Sequence, residues 1–425
     1  MSSVFQSIRG MHDILPQDIA LWQRLEHVAA TVFSSYGYRE IRMPILEKTE
    51  VFARAIGVAT DVVEKEMYSF LDRNEESLSL RPEGTAGVVR AALQNRLLYG
   101  HPVRLWYSGP MFRYERPQKG RTRQFHQLGA ELFGAPGPDV DAELIRMGER
   151  IWSELGLEGI RLELNSLGTA PERAAYREQL VAFLSRHADA LDEPTRERLE
   201  RNPLRVLDSK DPDVQSLLDE APKLMSVLGD DSRRHFDGVC ELLTGLGVAF
   251  VINHKLVRGL DYYCHTVFEW ITEDLGAQGT ICAGGRYDGL IEQQGGKPWP
   301  GIGFAMGEER LVELLRLKDN VGPVHPHAYV VMLGSGSKLA GLQMAERLRD
   351  KLPGLRVLSH AGGGNFRAQF KRADKSGAAL ALVIGENELE NGTVVVKRLR
   401  QDLPQETVSL TALVDWLRDW MTDGP

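Results

Sequence analysis

The segment Arg104 to Phe133 constrains the fold more than any other. It reads as two long antiparallel strands joined by a charged loop at Glu115 to Gly120, so the chain commits part of its backbone to an antiparallel sheet. In the return strand, period-two alternation sets Phe125, Gln127, Gly129 and Glu131 on one face. An amide and a carboxylate separated by glycine pack poorly against a core and suit the floor of a polar pocket. The solvent face of an antiparallel sheet would carry the same pattern.

Around this hairpin the elements alternate. A helix is expected after Pro16, because Ile19, Trp22, Leu25, Ala29, Val32 and Phe33 can line one helical face up to Gly37. Tyr38 to Met43 reads as a strand stopped by Pro44, and Met67 to Leu71 and Leu78 to Arg81 as two more around a turn at Asp72-Arg73-Asn74. Helical patterns broken by Pro194, Pro203 and Pro212 dominate residues 169–245. They read as an insertion between the sheet-forming segments Arg161 to Leu164 and Ala249 to Ile252. Lys318 to Pro326, with Gly322 and Pro323, reads as a linker. Beyond it, apolar runs at Tyr329 to Leu333 and Leu380 to Ile384 alternate with helices at Lys338 to Leu348 and Phe366 to Lys375. That order predicts a small α/β domain around a mostly parallel sheet.

A chain of 425 residues has room for two or three folding units. Its opening residues contain no apolar signal core, and no apolar run approaches membrane-spanning length, so a cytoplasmic protein is expected. The three cysteines, Cys240, Cys264 and Cys282, lack C-x-x-C or zinc-type Cys/His spacing. Neither a disulfide nor a metal held by a protein cluster is therefore expected. The net charge is −8, yet residues 326–425 hold 13 Lys/Arg and 11 Asp/Glu, while the rest hold 38 and 48. An acidic protein that binds RNA must gather its positive charge locally. The last hundred residues are one such place, and the loop with Arg113, Arg116, Lys119, Arg121 and Arg123 is another.

Four constellations carry chemistry. In an extended backbone Arg81, Glu83 and Thr85 point the same way, and an acid and a hydroxyl there could hold an ammonium group. The arginine-rich loop suits a triphosphate or an RNA backbone, since guanidinium groups bind phosphate bidentately. A solvated charge run reads the same way. Leu256-Val257-Arg258-Gly259-Leu260-Asp261-Tyr262-Tyr263 sets one arginine among apolar and aromatic residues, and Ala283 to Asp288 repeats the theme. Gly301 to Arg310 reads as a glycine-rich strand entering a helix. Its spacing is neither a dinucleotide fingerprint nor a P-loop.

Together these residues resemble the histidyl-tRNA synthetases of the class II aminoacyl-tRNA synthetase family. The strand ending Arg42-Met43-Pro44, the hairpin with Arg113 and the glycine-rich strand with Arg310 look like the three class II motifs. Leu256 to Tyr263 and Ala283 to Asp288 look like the two histidine-specific signatures. The opening Arg9-Gly10-Met11-His12-Asp13 and Arg123 to Gln127 also match.

The resemblance implies an α+β fold. A catalytic domain over residues 1–325 would hold a class II antiparallel sheet, flanking helices and the helical insertion at about 169–245; an anticodon-binding α/β domain would occupy 326–425. It further implies a homodimer through the first motif, with L-histidine, ATP with Mg²⁺, and tRNA(His) as partners. By matching positions, Glu83, Thr85 and Gln127 would hold the α-amino group. Glu131 and Tyr263 would read the imidazole, with Tyr262 lining the pocket. Arg113, Arg121 and Arg310 would bind ATP phosphates, and Arg113 and Arg258 would act at the reacting carboxylate and α-phosphate. Arg116, Gln118, Lys371 and Arg372 are candidates for tRNA contact. The rival from another class is a catalytically silent relative that regulates histidine biosynthesis. Such proteins lack the C-terminal domain and usually depart at signature residues, whereas Glu83, Arg113, Arg258 and Arg310 are all present.

Overall fold

The computed structural model describes residues 4–57, 60–118, 120–209, 211–276, 279–318 and 324–423. Lys119 and most of the linker expected at Lys318 to Pro326 lie outside them. The chain divides into two compact units, Met1–Val321 and Gly322–Pro425.

The strands of the first unit are β1 Arg39–Glu40, β2 Leu46–Lys48, β3 Ser69–Leu71, β4 Ser77–Leu80, β5 Val103–Phe112, β6 Gln124–Phe133, β7 Ile160–Ser166, β8 Phe250–Ile252, β9 Cys264–Thr272, β10 Thr280–Arg286 and β11 Gly301–Gly307. Eight of them form one sheet in the order β1-β5-β6-β11-β10-β9-β7-β8. The expected hairpin is its longest pairing, with Val103 opposite Phe133 and Phe112 opposite Gln124. Its interior pairings from β5 to β7 are antiparallel, and only the two edges, β1 on β5 and β8 on β7, are parallel. Strands β2, β4 and β3 make a separate small sheet.

The two faces of the large sheet have separate cores. On one, Trp106, Leu128, Phe268 and Phe304 pack against the helices Ile19–Ser35, Pro138–Glu154, Asp230–Gly245 and Glu308–Lys318. On the other, Leu105, Tyr107, Val267 and Tyr287 pack with the helix Thr85–Gln94 and with much of the helical insertion. Alternation along β5, with Trp106 on one side and Tyr107 on the other, is the strand period at work. The first helix buries Leu21, Trp22, Leu25, Ala29, Val32 and Phe33, close to the stripe its spacing implied.

One expectation for this unit needs correction. The strand expected over Tyr38 to Met43 is paired only at Arg39–Glu40. Ile41 makes one more bond to the Trp106 carbonyl at 2.8 Å; then the chain leaves for the small sheet, helped by Pro44, which has no N–H to donate. The helical insertion lies between β7 and β8. It is a crossover from β7 to the parallel β8, begun by a capping box between Thr169 and Glu172. Tyr176, Leu180, Val206 and Leu218 join one core, and Phe236, Val239 and Leu243 the other.

The second unit contains β12 Ala328–Met332, β13 Val357–Ser359, β14 Leu380–Ile384, β15 Thr393–Arg398 and β16 Glu406–Ser409, in the order β13-β12-β14-β15-β16. Here the mostly parallel sheet is also corrected. β12 is parallel to β13 and β14, but β14-β15 and β15-β16 are antiparallel, so the sheet is mixed. The α/β alternation ends after Ile384, where the short helix Glu386–Asn391 and Gly392 reverse the chain instead of crossing over.

Candidate active site

The site lies on the second face of the large sheet. Arg81, Glu83 and Thr85 do not share an extended backbone. Thr85 opens the helix Thr85–Gln94, and the Glu83 carboxylate accepts hydrogen bonds from the N–H groups of Thr85 at 2.7 Å and Ala86 at 2.9 Å. These are first-turn donors with no intrahelical partner, so the acid is fixed by the helix that follows it. Arg81 turns away to the carbonyls of Pro110 and Met43, at 2.8 and 3.0 Å. Only Glu83 and Thr85 remain at the site.

The Thr85 hydroxyl donates to Glu131 at 2.7 Å, and the Tyr287 hydroxyl donates to the other Glu131 oxygen. Glycines make room for this. A Cβ on Gly84 or Gly129 would lie 2.2 Å from the Tyr107 ring, and one on Gly303 would lie 1.7 Å from Glu131. The glycine between Gln127 and Glu131 therefore admits Tyr107 from the paired strand. Sequence reasoning gave neither Tyr107 nor Tyr287 a role. Tyr107 was recoverable from hairpin register, being opposite Gly129; Tyr287 stood unassigned inside the Ala283 to Asp288 signature.

Glu131 is fully buried, and burial pushes its carboxyl up to about 8, against the Tyr287 and Thr85 hydroxyls that favour the charged form. In the unliganded protein it is therefore mostly protonated at neutral pH. Because the folded value lies above the ordinary 4.5, the folded state holds the proton that the unfolded state has lost. Stability should consequently fall as pH rises from about 4.5 towards 8 and level off above it. Glu131→Gln should flatten that slope in thermal melts across pH. An identical slope in the variant would place the titration elsewhere. The buried Oε1 of Gln127 has no hydrogen-bond partner among the described residues, which leaves it available to a donor such as an ammonium group.

Tyr262 and Tyr263 close the same pocket, their ring centroids 4.6 Å apart and those of Tyr262 and Tyr287 5.6 Å apart. The insertion holds this segment: Arg173 donates to the Tyr263 carbonyl, and the Arg205 guanidinium would meet a Cβ on Gly259 at 3.1 Å. Arg258 is ion-paired to Glu269 and lies 5.4 Å from the Tyr263 ring centroid. Its side chain is 16% exposed, so the cation is ordered yet reachable.

Beside the pocket three arginines converge. Arg113 donates to the Pro82 carbonyl at 2.8 Å and lies over Phe125, Arg121 pairs with Glu115 at 2.6 Å, and Arg310 donates to the carbonyls of Gly120 and Thr280. Burial, and then the nearby positive charge of Arg121, lowers the proton affinity of Arg310. Burial followed by Glu115 raises that of Glu66, against Arg113 and Arg121. Glu66, Glu115 and Glu269 act on these groups, with Glu66 held towards neutrality, yet Arg121 and Arg113 still repel Arg310. An anion would relieve the repulsion among them.

Arg116 and Gln118 are exposed in the loop, where Gln118 pairs with Arg121. Lys371 and Arg372 lie on the exposed side of the helix Phe366–Lys375 in the second unit. The sequence offered no metal cluster, but the fold brings ligand atoms of Cys264, His265 and Asp288 within 4.8 Å of one another. Local spacing could not reveal this, because Asp288 comes from beyond the next strand.

The family model for histidyl-tRNA synthetase matches residues 10–311, and that for the anticodon-binding domain matches residues 327–420. The chain belongs to the histidyl-tRNA synthetase family. It is similar to the solved apo histidyl-tRNA synthetase of S. aureus, at 34% identity and a TM-score of 0.80 over 97% of this chain and 99% of that one. The histidyl-tRNA synthetase from Nostoc sp. PCC 7120 shares the fold at 21% identity and a TM-score of 0.70, over 98% of this chain and 99% of that one. So does a protein from Bacillus halodurans described as an ATP phosphoribosyltransferase regulatory subunit/histidyl-tRNA synthetase, at 21% identity and a TM-score of 0.66, over 91% of this chain and 99% of that one. The activity of this chain is that of a histidine–tRNA ligase. Its amino-acid and tRNA substrates follow from the family, with residues 327–420 as the anticodon-binding domain.

Proposed function

We propose that the Glu131 pocket takes L-histidine and that the adjoining arginines take ATP as its Mg²⁺ complex. The observation that carries this reading is the junction itself: a buried carboxyl flanked by tyrosines, with Arg258 and the Arg113–Arg121–Arg310 cluster beside it. Glu83, Thr85 and Gln127 supply acceptors for the α-ammonium. Glu131, with Tyr263, reads the imidazole, and the Tyr287 hydroxyl steadies Glu131. Arg113, Arg121 and Arg310 hold the phosphates.

The histidine carboxylate attacks the α-phosphorus, the bond to the leaving pyrophosphate breaks, and histidyl-adenylate remains. A terminal ribose hydroxyl of tRNA(His) then attacks the acyl carbon and AMP leaves. Neither step requires a protein nucleophile. Fixing two anions in line and stabilising charge on the phosphoryl oxygens suffices. Arg113 and Arg258 do this at the reacting end; Mg²⁺ entering with ATP would supply charge neutralisation on the phosphates that Arg113, Arg121 and Arg310 hold. Arg116 and Gln118 in the loop, and Lys371 and Arg372 in the second unit, meet tRNA. The working form is a cytoplasmic homodimer paired through the Arg42-Met43-Pro44 region.

Pyrophosphate exchange into ATP, run with each amino acid in turn, tests the assignment. Exchange should require histidine alone. A site built on paired hydrogen bonds rejects analogues by on the order of 10⁴-fold, and exchange with none would remove the synthetic role. Within the pocket, Glu131→Gln should weaken histidine binding, because turning a carboxylate oxygen acceptor into an amide donor breaks a buried hydrogen-bonded pair at a cost of about 1–3 kcal/mol. Calorimetric titration with histidine and with ATP separates the sites. A variant that lost ATP affinity and kept histidine affinity would overturn the assignment of Glu131.

A further inference from the structure

We propose that Cys264, His265 and Asp288 form a binding site for a borderline-soft divalent cation of the zinc class, and that the ion clamps the segments carrying Tyr263 and Tyr287. A sulfur, an imidazole nitrogen and a carboxylate oxygen lie within 4.8 Å of one another. Tetrahedral zinc with bonds near 2.0–2.3 Å separates its ligands by about 3.6 Å, so closure asks for shifts of about 1 Å. Mixed sulfur, nitrogen and oxygen donors suit zinc or cobalt; magnesium would demand an octahedron of oxygens.

The backbone here is shaped in a way that the sheet alone does not require. Pairing of β9 with β10 slips between Gly285 and Arg286, so that Gly285 faces Val267 and Arg286 faces Cys264. Such a bulge re-aims side chains. His265 sits at φ 45°, in the left-handed region that a residue with a Cβ seldom adopts. It is held there by hydrogen bonds from Leu167 to its carbonyl at 2.7 Å and from its own N–H to Gly168 at 2.9 Å. Backbone strain of this kind is often kept where a side chain must point at a ligand. The His265 Nδ1 is buried without a hydrogen-bond partner among the described residues.

Asp288 is aimed as well. Its Oδ1 accepts from Arg286 at 3.1 Å and from the Gly301 N–H at 3.0 Å, and neither bond uses Oδ2. Its own N–H points at the Cys264 sulfur at 3.3 Å, a contact that strengthens once the sulfur carries charge. The neighbouring Arg286 cation is itself paired with the fully buried Asp141 at 2.8 Å. A thiolate and a carboxylate therefore remain to balance a dication.

Cys264 directly follows Tyr263 and Asp288 directly follows Tyr287; the two rings lie 6.4 Å apart. An ion joining Cys264 to Asp288 fixes the spacing of the tyrosines, one of which holds Glu131. The site itself stands apart from the histidine assignment, and only its effect on histidine affinity rests on that assignment.

Full-length protein stripped with chelator and titrated with Co²⁺ should take up one ion per chain. It should show a thiolate-to-cobalt charge-transfer band that Zn²⁺ bleaches. Cys264→Ser and His265→Asn should each weaken binding by at least about 100-fold, beyond the 10- to 100-fold cost of losing an outer-shell partner. Cys240→Ser should leave the band intact. Thermal melts of the metal-free proteins identify any variant that merely misfolds, and two independent ligand variants keep the comparison usable. A missing band in the wild type, or one that survives Cys264→Ser and disappears with Cys240→Ser, overturns the site. Histidine affinity should rise when Zn²⁺ is bound; equal affinity with and without Zn²⁺ overturns the clamp.

Discussion

Arg258→Ala is expected to slow histidyl-adenylate formation by on the order of 10²–10³-fold, with little change in histidine affinity. The guanidinium is held by Glu269 and lies over Tyr263, and Glu269 is held in turn by the Thr280 hydroxyl at 2.9 Å. The cation is therefore in place before substrate arrives and need not reorganise as phosphoryl charge develops. An interaction that strengthens mainly in the transition state should appear in the rate and not in ground-state binding. Removing Arg258 also leaves the Glu269 carboxylate without its counter-ion, facing an anionic substrate. Arg258→Lys keeps the charge and loses the planar fork, so it should recover part of the rate. Single-turnover adenylation at saturating histidine and ATP reads the effect. A loss smaller than tenfold would remove Arg258 from the mechanism, while an equally large loss of histidine affinity would reduce it to a binding residue.

The parts of the fold that rest on local rules were legible in the sequence. The hairpin, the first helix and the strand Gly301–Gly307 leading into the helix Glu308–Lys318 follow from period and punctuation. What stayed hidden depends on non-local pairing. Glu83 looked like one residue on an extended face, and only the helix that follows converts it into a cap with fixed oxygens. Tyr107 acquires its place from Gly84 and Gly129, neither of which names the ring that will occupy the space. Likewise Cys264 and His265 gain Asp288 only through the slipped pairing of β9 with β10. In the second unit, β12, β14 and the two helices between them were readable, whereas the three-residue β13 was not. The antiparallel β15 and β16 were not, since Thr393–Arg398 ends in the charges Lys397 and Arg398, which masked its apolar half.

The same basic stretch bears on the largest effect expected for tRNA. Removal of residues 326–425 should lower the efficiency of tRNA charging by on the order of a hundredfold or more, the scale on which a handful of phosphate contacts acts. Histidine-dependent pyrophosphate exchange should remain detectable, because the pocket and the arginine cluster lie within Met1–Val321. Not every cation in the second unit is equally free to meet RNA. Arg398 is paired with Glu406, and Arg400 with Asp374 at 3.0 Å. Arg372 donates to the Ala361 carbonyl at 2.9 Å. Arg367, Lys371 and Lys375 stand exposed on the helix Phe366–Lys375, and its N-terminus is capped by Asn365. The expected order of single-variant effects therefore begins with Lys371→Ala and ends with Arg398→Ala. Each lysine or arginine that no longer neutralises a phosphate should reduce the salt slope of tRNA binding by about 0.7–0.9. Binding isotherms across several salt concentrations, for full-length, truncated and point-variant proteins, read this directly. Sedimentation of the full-length and truncated proteins is needed alongside, since a truncation that altered the oligomeric state would lose exchange for a different reason. If the truncated protein bound tRNA with unchanged affinity and slope, recognition would lie wholly within the first unit, and the loop with Arg116 and Gln118 would become the principal tRNA contact.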